Sequence, residues 1–249
     1  MIYIKRPLSD LIIESTVESA ENNHSFSHSE IVRGSFSVIV SSSPDLSYDT
    51  IVCGCPTALG FAQKRELYCL IGDVIGKYLK KSALESDFCA LVAGLGNPYV
   101  TPDSLGTLAA NKISVDGERI FSVTPLTKAK TGLDTASIVR FAAKESRADV
   151  IIVVDSLSAR FKERLASVIQ ITDAGITPGS GVSGASSEIS RATMSCPVIS
   201  VGVPTVIRAD MLGSYDGSLL VTPASVDSIT ETFSSLIASG INLSLRGNM

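Results

Sequence analysis

The sequence predicts an α/β fold, a mainly parallel sheet with helices on both faces, preceded by a small irregular or β N-terminal region. Two runs, 87–93 and 149–154, are continuously apolar after their first aspartate, as in strands buried on both faces, and 196–202 is predicted to be another buried strand. From residue 59 onward, such runs alternate with segments whose apolar residues recur at helical spacing, a pattern typical of parallel sheets. We therefore predict an N-terminal arm or subdomain over 1–58 and one compact α/β unit over 59–249.

The remaining elements follow from local patterns, taken in chain order. In the Ser-rich N-terminal region, only 35–40 has the composition of a strand. Residues 60–82 are apolar at helical spacing, and the basic residues in their last turn suit the negative end of the helix dipole. The loop 172–187 is rich in Gly, Ser and Pro. The other predicted elements are a short helix ending near 112, a strand at 119–123, a helix at 134–146, strands at 168–171 and 218–222, and a helix at 224–240.

The composition indicates a globular protein and excludes several classes of partner. The 249 residues are 45% hydrophobic and 18% charged, which is enough apolar material for a sizeable core. A net charge of −4 and a pI near 5.3 argue against direct binding of nucleic acid through its phosphates. No apolar stretch is long enough to cross a bilayer, and the N-terminus lacks the apolar centre of a signal peptide. We expect no membrane association and a cytoplasmic location.

The cysteines and histidines do not predict a metal site. Five cysteines, an odd number mostly in apolar surroundings, fit buried thiols in a reducing compartment. Cys53-Gly-Cys55 lacks a second pair of ligands at the spacing of a zinc site. The two histidines, His24 and His28, lie in a polar segment without a helical pattern and are expected to face solvent.

Two acidic residues are conspicuous because each follows a buried strand. Asp103 lies in the segment after strand 87–93, and Asp155 directly follows strand 149–154. Ligands of open parallel sheets bind beyond the carboxyl ends of the strands, so both side chains should reach a common cleft, where paired acids suit acid–base chemistry. A simpler role is also open. Thr101-Pro102-Asp103 is a good helix start, with Thr101 as N-cap and Asp103 in the first turn, and Asp155 has the same capping interpretation.

Two glycine-containing segments raise the question of a bound nucleotide or phosphate. Gly94-Leu-Gly96 lacks the third glycine of a dinucleotide fingerprint, and two prolines interrupt the helix start behind it. Pro178-Gly-Ser-Gly181 offers backbone N–H groups to a phosphate but lacks the lysine of a P-loop. We therefore predict no cofactor.

Several long segments together resemble the germination protease family, aspartic-type endopeptidases of bacterial spores. The resemblance runs in collinear order over roughly 88–245. A weaker match, Ser9-Asp-Leu-Ile-Ile-Glu14, is similar to the start of the mature family enzyme. The matching segments are Gly94-Leu-Gly-Asn-Pro-Tyr-Val-Thr-Pro-Asp-Ser-Leu-Gly106, Asp149-Val-Ile-Ile-Val-Val-Asp-Ser-Leu-Ser-Ala-Arg160, Ile169-Gln-Ile-Thr-Asp-Ala-Gly-Ile-Thr-Pro-Gly-Ser-Gly-Val182, Pro197-Val-Ile-Ser-Val-Gly-Val-Pro-Thr-Val206 and Leu220-Val-Thr-Pro223.

The resemblance implies an endopeptidase that hydrolyses small acid-soluble spore proteins during germination, in the spore core. It also implies a homo-oligomer, since the family is described as tetrameric. By motif, the two catalytic aspartates of the family correspond to Asp103 and Asp155. Two such acids close together share one proton, so that one takes a proton from water while the other polarises the scissile carbonyl. Both assignments of these roles stay open.

Substrate-binding roles are expected in three places. Asn97 lies in the first motif. A glycine-rich loop offers backbone donors to an extended peptide or to the oxyanion of the tetrahedral intermediate. Its residues are Gly179, Ser180 and Gly181. Because the family cleaves after an acidic residue, Arg160 and Arg164 are expected to supply a cation near the cleft.

Two alternatives are retained. One is a metal-dependent maturation peptidase of related α/β fold, which needs carboxylate ligands and histidine. The other is a non-enzymatic binding protein of the same fold, in which Asp103 and Asp155 serve as caps. The presence of both aspartates inside otherwise matching segments argues against the second alternative.

Overall fold

The computed structural model describes residues 10–15, 27–44, 46–84, 87–179, 187–214, 216 and 219–248. Within these ranges, nine strands form one sheet. The strands are β1 (Ser27–Arg33), β2 (Phe36–Ser42), β3 (Ser47–Val52), β4 (Ala90–Gly94), β5 (Ile120–Val123), β6 (Val150–Ala159), β7 (Val168–Thr172), β8 (Val198–Arg208) and β9 (Leu220–Val221). The helices are α1 (Ile12–Ser15), α2 (Phe61–Lys81), α3 (Leu105–Ala110), α4 (Lys128–Thr131), α5 (Thr135–Glu145), α6 (Arg191–Met194) and α7 (Val226–Asn248).

The sheet is mixed, with a parallel centre. Its order is β1-β2-β3-β7-β8-β6-β4-β5, and β9 pairs with β8 beside this path. The neighbours β5, β4, β6 and β8 are parallel, whereas the pairs from β1 to β8 on the other side are antiparallel. The predicted α/β fold is therefore confirmed. The N-terminal strands continue the same sheet through the β3–β7 pair, and the predicted division near residue 58 stays a prediction.

Helices cover both faces of the parallel centre because successive strand residues point to opposite faces. On β6, Val150, Ile152 and Val154 pack into a core shared with α2, α3 and α7. The intervening Ile151 and Val153 pack into a second core with α5. This alternation decides which face of the sheet each functional side chain reaches. None of the helices within the described ranges is both long and apolar enough to cross a membrane.

Two central strands are longer than their apolar runs predict. The strand predicted at 149–154 extends to Ala159, and the one predicted at 196–202 extends from Val198 to Arg208. The two strands pair with each other as far as Ala159 opposite Ile207. This pairing satisfies the backbone of the polar stretch after Val154, so Asp155 lies inside a strand rather than just past its end.

Candidate active site

A cavity of about 570 Å³ opens where β4 ends while its neighbour β6, and β8 on the other side of β6, continue. β4 ends at Gly94, which pairs with Val154, so Asp155 is the first β6 residue beyond that end. Asp103 and Asp155 both line the cavity, and so does a third acid, Asp10. The arrangement follows the rule that sites of open parallel sheets lie beyond the carboxyl ends of strands.

Asp155 is held on the sheet with little contact with solvent. It lies opposite Gly202 of β8 and is 7% exposed, and the N–H of Ser156 donates to its Oδ1 at 2.8 Å. Burial raises the pKa of the Asp155 carboxyl well above its usual range, and the charges of Asp103 and Asp10 raise it further. The Ser156 hydrogen bond acts in the opposite direction. Burial and the neighbouring charges therefore favour the protonated form of Asp155.

Asp103 reaches the cavity from the loop that follows β4. It ends a 3₁₀ turn, Thr101–Asp103, and its Oδ2 accepts a hydrogen bond from the N–H of Asn97 at 2.8 Å. Burial raises the pKa of Asp103 from 3.8 to about 6, and the Asn97 hydrogen bond limits the rise. Burial thus raises the pKa of both carboxyl groups, and Asp103 is the less buried of the two.

The structure does not show Thr101 and Asp103 in the predicted roles at the start of α3. Thr101 begins the 3₁₀ turn, and α3 begins later, at Leu105, after Ser104. The Asp103 carboxylate binds an N–H of the preceding loop, that of Asn97, rather than an N–H of α3. Its position is therefore fixed by the loop, and no capping bond to α3 accounts for its presence.

The glycines of the first motif allow close backbone packing around Asp103. Gly96 has φ +98°, and a Cβ there would lie 2.0 Å from the backbone oxygen of Asp103. A Cβ on Gly94 would lie 2.1 Å from the oxygen of Gly106, and one on Gly106 would lie 2.3 Å from the oxygen of Val154. These contacts bring α3 against the strand ends and give the glycine pattern a packing role.

Asp10 was missed as a site residue. Its N–H donates to the oxygen of Ser158 at 3.1 Å, and the N–H of Ser158 donates to its Oδ2 at 2.9 Å. The side chain of Gln170 donates to the Asp10 oxygen at 3.2 Å and accepts from the N–H of Ile12 at 2.8 Å. These bonds fix the segment beside β6 and β7, with Asp10 facing the cavity.

The rest of this N-terminal segment anchors it further. Leu11 is buried against Leu157 and Val168. The Glu14 carboxylate is 1% exposed and accepts from the N–H groups of Arg160, at 2.7 Å, and Phe161, at 2.9 Å. An apolar triplet with an acid at each end, 10–14, is the sequence signal that could have indicated this segment.

The predicted substrate-binding residues are distributed unevenly. Asn97 contacts Asp103, and Gly179 lines the cavity. Ser180 and Gly181 lie outside the described residues. Among the described residues that line the cavity, neither predicted arginine occurs. The guanidinium group of Arg160 lies 5.6 Å from the centroid of the Phe161 ring. The backbone N–H of Arg164 donates to the backbone oxygen of Phe161 at 3.0 Å. The roles of all these residues stay predictions.

The described part of the chain contains no group of three or more His, Cys, Asp or Glu side chains placed to hold a metal ion. His28 lies on the exposed strand β1, with its Nδ1 2.9 Å from the hydroxyl of Ser41. His24 lies outside the described residues.

The fold and the cavity define an α/β protein with paired carboxylates beyond the end of a parallel strand. The family described as germination protease matches residues 62–216, a range that holds Asp103 and Asp155 but not Asp10. The chain belongs to the germination protease family, and this membership assigns it to the proteases.

Curated germination proteases are similar over different shares of their length. The one from Clostridium acetobutylicum is 34% identical over 237 residues, covering 73% of this chain and 72% of the relative. The one from Bacillus pumilus is 38% identical over 152 residues, covering 55% and 41%. Among solved structures, a [NiFe] hydrogenase maturation protease, HycI from Thermococcus kodakarensis, covers 68% of this chain and 98% of its own, with 15% identity and a TM-score of 0.42.

Proposed function

We propose that the protein is an endopeptidase in which Asp103 and Asp155 act together on a water molecule. One observation carries the proposal: both carboxylates line one cavity, where Asp155 is more deeply buried than Asp103 and burial raises the pKa of each. A pair of titratable groups with separated pKa values is the arrangement that general acid–base catalysis needs.

We assign the roles from burial, which is deeper for Asp155 and favours its protonated form. Near neutral pH, Asp103 is ionised and takes a proton from water as the water oxygen attacks the scissile carbonyl carbon. Asp155 is protonated and donates a hydrogen bond, then its proton, to the carbonyl oxygen. When the tetrahedral intermediate collapses, the C–N bond breaks, the amide nitrogen receives the proton held by Asp103, and Asp155 recovers its proton from the hydroxyl. Both carboxyl groups return to their starting states.

The proposed substrates are small acid-soluble spore proteins. Support comes from family membership and from the matching segments around both aspartates. The cavity, at about 570 Å³, is of the size that accommodates a few residues of a peptide. Its three acids and the other polar groups of its mainly apolar lining suit an extended chain that hydrogen-bonds through its backbone.

The test is incubation of the purified protein with a small acid-soluble spore protein, with fragments identified by mass spectrometry. Asp103→Asn and Asp155→Asn should each lower the rate by about 10²–10⁴-fold, the usual contribution of a general acid or base. Asp227→Asn, an exposed position in the first turn of α7, is the matched control and should cleave like the parent. Equal cleavage by either site variant would contradict the mechanism. A parent that binds but does not cleave would favour the non-enzymatic alternative.

A further inference from the structure

Three hydroxyl-bearing residues lie side by side on neighbouring strands at the bottom of the cavity. Ser200 of β8 pairs with Thr172 of β7, which pairs with Tyr48 of β3, and all three line the cavity. We refer to these three residues as the hydroxyl row. Ser200 is two residues before Gly202, the partner of Asp155. The row therefore runs away from the proposed catalytic pair across the sheet.

Ser200 faces the same side of the sheet as Asp155. Its neighbours Ile199 and Val201 pack into the core that includes α2 and α7, so Ser200 points to the other face. The alternation on β6 places Asp155 on that face as well, two residues beyond Val153. Ser200 thus lies on the same face of the sheet as Asp155 and lines the same cavity.

The Ser200 hydroxyl is buried and unsatisfied. The residue is 4% exposed, and its Oγ has no hydrogen-bond partner among the residues that the structure describes. The adjacent Thr172 differs, because its Oγ1 donates to the oxygen of Ser47 and accepts from the N–H of Ala174. An unsatisfied buried hydroxyl costs free energy, and a ligand group in the cavity would remove that cost.

We propose that Ser200 is a specificity-determining residue that hydrogen-bonds a neutral polar side chain of the bound peptide. The inference rests on the proposed function and adds a substrate preference to it. A hydroxyl both donates and accepts, so it matches the hydroxyl of Ser or Thr and the amide of Asn or Gln. The three acids that line the cavity, Asp10, Asp103 and Asp155, disfavour a further negative charge beside Ser200, so the acidic residue expected before the cleaved bond would bind away from it.

The experiment pairs a change in the protein with a change in the peptide. Thr and Val side chains have nearly the same shape, and Val has a methyl group in place of the Thr hydroxyl group. Peptides from a small acid-soluble spore protein are made with Thr or with Val at each of the three positions on either side of the cleaved bond. For each pair, kcat/KM is measured with the parent, with Ser200→Ala and with Ser200→Cys. Thr50→Val is the matched control, because its hydroxyl is also buried and unsatisfied but does not line the cavity.

At one position, the parent should prefer the Thr peptide by about 3- to 10-fold, and Ser200→Ala should abolish the preference. Thr50→Val should keep it. The inference would be overturned if, at every position, the ratio of kcat/KM for the Thr peptide to kcat/KM for the Val peptide were the same in both Ser200 variants as in the parent. The same peptides are titrated calorimetrically against Asp103→Asn with and without Ser200→Ala. One outcome would divide the two proposals: the Asp103→Asn variant binds the Thr peptide more tightly than the Val peptide and loses this preference with Ser200→Ala, while the parent cleaves neither peptide. That result would support recognition by Ser200 and contradict the proposed function.

Discussion

Replacing Asp103 by Asn should stabilise the protein at neutral pH, although Asp103 lies in the proposed active site. Burial raises the pKa of this carboxyl from 3.8 to about 6. A raised folded-state pKa means that ionisation costs stability, so the parent loses stability as the pH rises from about 4 through 6. The shift corresponds to about 3 kcal/mol once the carboxyl is fully ionised. Asn has no charge to bury and keeps an oxygen that accepts from the N–H of Asn97.

The assay is urea unfolding of the parent and of Asp103→Asn at pH 3 and pH 8. We expect the variant to gain up to about 3 kcal/mol in free energy of unfolding at pH 8 and to match the parent at pH 3. Asp116→Asn is a control for which the free energy of unfolding at pH 8 should change in the opposite direction. Asp116 is exposed, and hydrogen bonds from the N–H groups of Ile120, Arg119 and Glu118 lower its pKa, so its replacement should destabilise the protein at pH 8. A destabilised Asp103→Asn at pH 8, or a gain independent of pH, would refute the reasoning.

Three further predictions concern the surroundings of the pair. Gly96→Ala should lower the midpoint of thermal unfolding more than Gly117→Ala, because both glycines have positive φ but only the first would place a Cβ 2.0 Å from a backbone oxygen; equal shifts would be contrary evidence. Glu14→Gln should cost about 1–2 kcal/mol in urea unfolding, since one amide oxygen cannot accept both N–H groups as the two carboxylate oxygens do; an unchanged midpoint would count against it. Asp10→Asn should move the alkaline limb of the pH profile of kcat/KM to lower pH, because the charge of Asp10 raises the pKa of Asp155. An alkaline limb that does not move would show that the charge of Asp10 does not act on Asp155.

The sequence predicted the parallel centre, and the common cleft that Asp103 and Asp155 both reach, for a physical reason. Strands buried on both faces are continuously apolar, so the positions of Asp103 and Asp155 could be read from where those runs stop. The same signal misplaced the end of β6, because polar residues after Val154 stay in the sheet through pairing with β8. Apolar composition reports burial and does not report hydrogen bonding between strands.

Other features depend on contacts between distant residues and leave little local signal. Asp10 reaches the cavity through bonds to Ser158 and Gln170, far away in sequence. The lack of a hydrogen-bond partner for the Ser200 hydroxyl, within the part of the chain that the structure describes, is visible only when the neighbouring strands are in place. Arg160 was expected at the cleft because it follows Asp155 closely, but among the cavity-lining residues that the structure describes it does not occur. The tetramer implied by the resemblance stays a prediction, which light scattering of the purified protein can test.

The most direct test of the paired carboxylates is a carbon-13 NMR titration of the protein labelled at the aspartate carboxyl groups. Asp103→Asn and Asp155→Asn assign the two signals. We predict that the Asp103 signal titrates with a midpoint near 6, and that the Asp155 signal keeps its protonated shift to higher pH. Neutralising Asp103 should move the Asp155 midpoint downward. Two independent midpoints close to 3.8, each unchanged by removal of the other carboxyl, would contradict a shared proton.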